Sequence, residues 1–95
     1  MFYVYILRSL NNGTYYTGQT QDLRKRLTEH RQGASHSAKS MGPFELVYYE
    51  MCDSRSQAMR RERFMKTGHG RQERVRLIKD FADPEFEAYR RLLGP

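Results

Sequence analysis

Apolar positions in this chain fall into short unbroken runs and helical stripes. The first run, Tyr3 to Leu7, reads YVYIL. A continuous apolar run of that length predicts a strand covered on both faces. A second, shorter run, Tyr15–Tyr16–Thr17–Gly18, predicts its partner. Ser9–Leu10–Asn11–Asn12–Gly13 lies between them, and Asn-Gly is a strong hairpin signal. Any even-length loop puts odd positions of the first strand on the same face as even positions of the second. Tyr5 and Tyr16 are therefore expected on one face. A four-residue loop, Ser9 to Asn12, sets them directly opposite each other.

The next stretch has a helical period. Leu23, Arg26, Leu27 and His30 stand at i, i+3, i+4 and i+7, while Arg24, Lys25 and Arg31 point elsewhere. The leucines turn this stripe towards the sheet and take Arg26 and His30 with them. An inward guanidinium is costly unless something anionic meets it. The plainer alternative is that Arg26 caps a carboxylate or carries its head out to the edge. Residues 32–43 read as a loop of small and turn-forming residues. Phe44 to Met51 reads as a third strand. Leu46 to Tyr49 is apolar on both faces, which predicts a central strand between helices.

Ser54–Arg55–Ser56–Gln57 has the form of a capping box and starts a helix expected to reach about Thr67. Gly68 and Gly70 are its expected stop. The inward stripe is Ala58, Glu62 and Met65, with Arg61 beside it, so Glu62 should point inward as Arg26 does. The alternative is an i,i+4 pair between Glu62 and Lys66 on a solvated face. A further helix is predicted over Arg71 to Ala82, with Val75, Ile78 and Phe81 inward. Asp83–Pro84–Glu85 supplies an N-cap, a proline at N1 and a first-turn acid. These residues predict a tail helix carrying Phe86, Tyr89 and Leu93. The expected architecture is α+β: a three-stranded, mainly antiparallel sheet flanked by helices on both sides. Residues 1–82 form the domain, and 83–95 the tail helix packed on it.

Composition narrows the class. Ninety-five residues make one domain with a modest core. No run approaches the roughly 20 apolar residues of a membrane span. The N-terminus reads as a core strand and lacks the features of a signal peptide. With one cysteine, Cys52, no internal disulfide forms, so a cytoplasmic monomer is the default. His30, His36, His69 and Cys52 have no zinc-ligand spacing. The net charge is +6. From Arg55 to Lys79 nine Lys or Arg face two acids, Glu62 and Glu73, a local +7 that exceeds the whole chain's charge. Such a segment suits a phosphate backbone. Arg60, Arg63, Lys66, Arg71 and Arg74 are its candidate contacts, joined by His36 and Lys39 from the loop. An ordinary solvated helical face is the alternative.

Tyr3–Val4–Tyr5, the turn, Tyr16–Thr17–Gly18, an Arg eight residues after that glycine, His30 and then Glu62 together resemble the GIY-YIG nuclease domain. The resemblance is closest to its small stand-alone bacterial members and covers Tyr3 to about Lys66. Tyr3 replaces the first glycine of the family name, and Thr17 the isoleucine of the second triplet. The resemblance implies metal-dependent hydrolysis of nucleic acid phosphodiesters, DNA ahead of RNA, in a setting of DNA repair or recombination. The expected cut leaves a 5′-phosphate and a 3′-hydroxyl. It also implies Mg²⁺ or Mn²⁺ as cofactor, Glu62 as metal ligand, and Tyr5, Tyr16, Arg26, His30 and Glu62 as the catalytic set. Those residue types suit the chemistry. A lone carboxylate holds a hard cation, and an arginine forks onto phosphate. A tyrosine beside positive charge orients or deprotonates water, while His30 relays a proton or holds a phosphate. Two rivals remain: a nucleic-acid-binding module without catalysis, and a protein-interaction adaptor using the basic face and the tail helix.

Overall fold

β1 (Phe2–Ser9) is the middle strand of the molecule, and the longest apolar run in the sequence explains why. Its alternate side chains enter two cores. Tyr5 and Leu7 belong to one, Val4 and Ile6 to the other, and all four are fully buried. The computed structural model describes residues 1–32 and 42–81. Within them β2 (Tyr15–Thr20) and β3 (Phe44–Cys52) flank β1, both antiparallel to it, in the order β2–β1–β3. The chain therefore has an α+β fold with a three-stranded antiparallel sheet. The predicted tail helix at 83–95 lies outside the described residues, as do His36 and Lys39.

The sheet corrects two expectations. β3 is not central; it takes the edge position beside β1. Both of its faces are nonetheless apolar because the register shifts between Ile6 and Leu7, which pair with Tyr48 and Leu46. Val47 is the extra residue, and it reverses the alternation. Leu46 and Tyr49 thus join one core while Tyr48 and Cys52 join the other. The hairpin is also wider than four residues. Pairing ends at Arg8↔Tyr15, and the Ser9 amide donates to the Thr14 carbonyl at 2.8 Å. Gly13 supplies the left-handed residue the turn needs, at φ 73°. Tyr5 consequently faces Gly18, and Tyr16 faces Leu7. The two tyrosines share a face diagonally, with ring centroids 6.3 Å apart.

Helices cover both faces. α1 (Leu23–Arg31) starts at Asp22, whose side chain accepts from the Lys25 amide, and presses Leu23 and Leu27 onto the Tyr5 side. α2 (Arg55–Met65) starts at Ser54, which accepts from the Gln57 amide, and presses Ala58 and Met65 onto the Val4 side. The capping box is offset by one residue, since Gln57 Oε1 accepts from the Asp53 amide at 2.7 Å. Gly68 does not stop this helix. Thr67 caps a new one, α3 (Gly68–Asp80), by accepting from the Gly70 amide. Gly70 is required by close approach, because a Cβ there would lie 1.7 Å from the Phe64 carbonyl oxygen. Val75 is 62% exposed, so Leu77 and Ile78 face the core in its place. Phe81 closes the packing against the Tyr48 and Tyr49 rings.

Candidate active site

On the α1 side of the sheet four of the expected residues meet. Tyr5 comes from β1, Tyr16 from β2, and Arg26 and His30 from consecutive turns of α1. Gly18 makes room for them. A Cβ at Gly18 would sit 2.5 Å from the Tyr5 hydroxyl, so the glycine permits the phenol to lie across β2. The Tyr5 hydroxyl and His30 Nε2 are 2.9 Å apart, and Arg26 Nε donates to the same hydroxyl at 3.4 Å. Arginine can only donate, so the tyrosine oxygen accepts from Arg26, while the direction of its bond with His30 Nε2 follows the imidazole tautomer. The His30 ring stands edge-on to Tyr16 at 5.1 Å and to Phe44 at 6.0 Å.

The electrostatics favour a neutral imidazole. Burial, followed by the Arg26 charge, lowers the His30 pKa to about 4, with Glu29 opposing weakly. Burial also pushes the Tyr5 phenol well above its ordinary value, outweighing the hydrogen bond from Arg26. The bond to Tyr5 in turn raises the Arg26 pKa. Arg26 is half-buried. Among the described residues the carboxylate nearest its terminal nitrogens is that of Glu29, at 3.9 Å.

A stability prediction follows from His30. Its folded pKa lies below the unfolded value of about 6.5, so the unfolded chain takes up the proton first as pH falls. The contribution is complete above about pH 6.5 and is lost towards pH 4, at an expected cost on the order of 2 kcal/mol. Denaturation midpoints at several pH values should therefore fall more steeply for the native protein than for His30→Gln. Parallel curves would show that the imidazole is not held neutral.

Glu62 lies elsewhere. It stands on α2, which covers the opposite face, so Arg26 and Glu62 lie on opposite sides of the sheet. Its side chain is half-buried, and Lys66 Nζ donates to it at 3.2 Å in an exposed pair, the i,i+4 alternative that the spacing allowed. Arg61 serves the fold instead: its Nε donates to both Glu50 oxygens at 3.1 Å, and Glu50 also accepts from the Tyr48 hydroxyl at 2.8 Å. Arg76 is engaged with Glu73. Arg60 and Arg63 are exposed on α2. Lys66, Arg71 and Arg74 gather beside β2 with Thr14, Tyr15, Tyr16 and Thr17 around a recess of about 410 Å³. Tyr15 and Thr17 are absent from the expected site. On β2 they alternate with Tyr16, so the strand period places them on the other face, where Arg74 reaches both.

Comparisons with known proteins support the family resemblance. The model of the GIY-YIG catalytic domain matches residues 1–75. This chain belongs to the GIY-YIG family. The family is one of nucleases and generally uses divalent metal ions. A UPF0213 protein of Staphylococcus saprophyticus is 40% identical over 80 residues, covering 82% of this chain and 94% of its own length. A UPF0213 protein of Staphylococcus aureus matches with the same identity and coverage. The solution NMR structure of a UPF0213 protein from Bacillus halodurans is similar in fold, with a TM-score of 0.50 and 34% identity. That match covers 81% of this chain and 85% of the other. Among the described residues no helix is long and apolar enough to cross a membrane.

Proposed function

We propose that this GIY-YIG chain is a metal-dependent endonuclease, with DNA as its first substrate class and the cytoplasm as its setting. The observation that carries this reading is the Arg26–Tyr5–His30 chain, which holds a half-buried guanidinium beside an accessible tyrosine. Such a guanidinium suits a phosphate, because its planar fork meets two oxygens and its charge opposes the negative charge growing at phosphorus. β2 lies at one end of the sheet. A phosphate at its outer edge is approached by Arg26 from one face and by Glu62 from the other.

Within this reading Tyr16, acting as its phenolate beside Arg26, orients the attacking water and receives its proton. Tyr5 positions Arg26, and neutral His30 fixes Tyr5. Glu62 is the residue to hold the metal. Among the described residues no three His, Cys, Asp or Glu cluster together. A single carboxylate fits Mg²⁺ or Mn²⁺, whose remaining positions are filled by water and phosphate oxygens, better than it fits a zinc cage. Such an ion supplies neutralisation of phosphate charge and a more acidic water. Titration with Mn²⁺ tests the assignment. Binding should be weak to the protein alone and clearly tighter with a DNA oligonucleotide present, and Glu62→Gln should abolish the difference. Equal affinity with and without DNA would remove Glu62 from the metal site.

One observation favours a second reading. The Glu62 carboxylate is already paired with Lys66, which suits a module that binds nucleic acid without cutting it. Salt-dependent binding with no metal-dependent cleavage of single-stranded, duplex or branched DNA would establish that reading.

A further inference from the structure

On the face of β2 opposite Arg26, two arginines lack a carboxylate partner among the described residues. The Arg74 guanidinium lies over the Tyr15 ring, 5.0 Å from its centroid, and Nη1 donates to Thr17 Oγ1 at 3.3 Å. Its Nε is buried without an acceptor. Arg71 stands three residues earlier on the same side of α3. Among the described residues neither arginine has a carboxylate oxygen within 4.0 Å, and Arg74, unlike the exposed and equally unpaired Arg24, Arg55, Arg60 and Arg63, is half-buried. Burial and the Arg71 charge both lower the Arg74 pKa, the expected result of crowding like charges in a partly desolvated site. The fold thus sets a partly desolvated Arg74 beside an exposed Arg71, and one anion in the recess meets both. Lys66, itself paired with Glu62, adds an ammonium, and Thr17 brings a hydroxyl to the same recess of about 410 Å³.

The chemistry of this recess suits a phosphate: guanidinium forks, an ammonium and the Thr17 hydroxyl. Its position selects the source. Tyr16 borders the recess, and its ring also packs on His30 in the cluster across the strand. The two sites therefore adjoin over the outer edge of β2. A chain of phosphates engages both, whereas a free phosphate fills one.

We propose that the recess lined by Tyr15, Thr17, Lys66, Arg71 and Arg74 is a second phosphate subsite, holding the backbone phosphate of a nucleotide that flanks the one addressed by Arg26. The nucleic acid strand then crosses the outer edge of β2 from one face to the other. This inference rests on the proposed reading of Arg26.

Binding of a labelled single-stranded DNA, measured in Ca²⁺ without turnover, tests it. Arg74→Gln should weaken binding about tenfold, the scale of one charge-assisted contact, and lower the salt slope by about 0.7. Arg71→Gln, at an exposed position, carries the test if Arg74→Gln fails to fold. A single neutral methylphosphonate linkage, moved along the strand, should cost the native protein a similar factor at one position and cost Arg74→Gln nothing further there. If every neutral linkage weakens variant and native protein alike, the subsite is wrong, while loss of cleavage in Arg26→Ala still upholds the first site. If inorganic phosphate shifts the amide resonances of Thr14 to Thr17 and the oligonucleotide does not, the recess is a free-anion site and the proposal falls. Native protein that binds no oligonucleotide at all overturns both readings.

Discussion

Arg26→Ala is expected to reduce DNA cleavage by at least about 10²-fold, the scale of losing one preorganised electrostatic contributor, with binding close to native. Binding survives because exposed Arg60, Arg63 and Arg71 remain to meet the backbone. Cleavage does not, because Arg26 is the cation fixed by Tyr5 at the candidate scissile position. Glu62→Gln should cause a loss of similar size by removing the charge that holds the metal. The double variant should lose little more than either single one, since both residues serve one transition state. Melting curves separate chemistry from folding. The Arg26 bond to Tyr5 is long, at 3.4 Å, and its pair with Glu29 is loose, at 3.9 Å, so Arg26→Ala should melt close to the native protein. Undiminished cutting by both single variants would place the chemistry elsewhere or in a contaminant.

The strand and helix periods were legible where one physical rule decided each position. Strand alternation put Tyr5 and Tyr16 on one face, and the 3.6-residue period aimed Leu23, Arg26, Leu27 and His30 at the sheet; both hold. The errors arose where two rules competed. Gly68 carried a stop signal, yet Thr67 is a good N-cap, and a new helix begins at that glycine. Leu46 to Tyr49 suggested a central strand, but a bulge at Val47 gives an edge strand two apolar faces. Helical periodicity predicts an inward Glu62 without showing which face of the sheet its helix covers. That is settled by the path of the chain after β3. The roles of Tyr15 and Thr17 were hidden for a related reason. Their partner, Arg74, is 57 residues away in the chain from Thr17, and nothing local to β2 announces it.

The two tyrosines, equivalent in sequence, are expected to separate sharply on mutation. Tyr5 is fully buried, and its hydroxyl is committed to Arg26 and His30. Its phenol is pushed up by burial, which makes it a poor base. Tyr16 is half-buried and borders the open recess at the outer edge of β2, where water and substrate have access. Tyr16→Phe should therefore lower cleavage by about 10²-fold, at the low end for loss of a general base, with little change in stability. Tyr5→Phe should act first on the fold. It removes the phenol from a buried histidine nitrogen, at a cost of about 1–3 kcal/mol, and it frees Arg26 to swing. Its cleavage defect should be the smaller of the two once unfolded protein is accounted for. In Tyr5→Phe the midpoint of denaturation should fall clearly, and the pH dependence assigned to His30 should weaken. The reverse pattern, a stable but inactive Tyr5→Phe beside an active Tyr16→Phe, would transfer the water-activating role to Tyr5 and require that its buried hydroxyl opens to solvent when substrate binds.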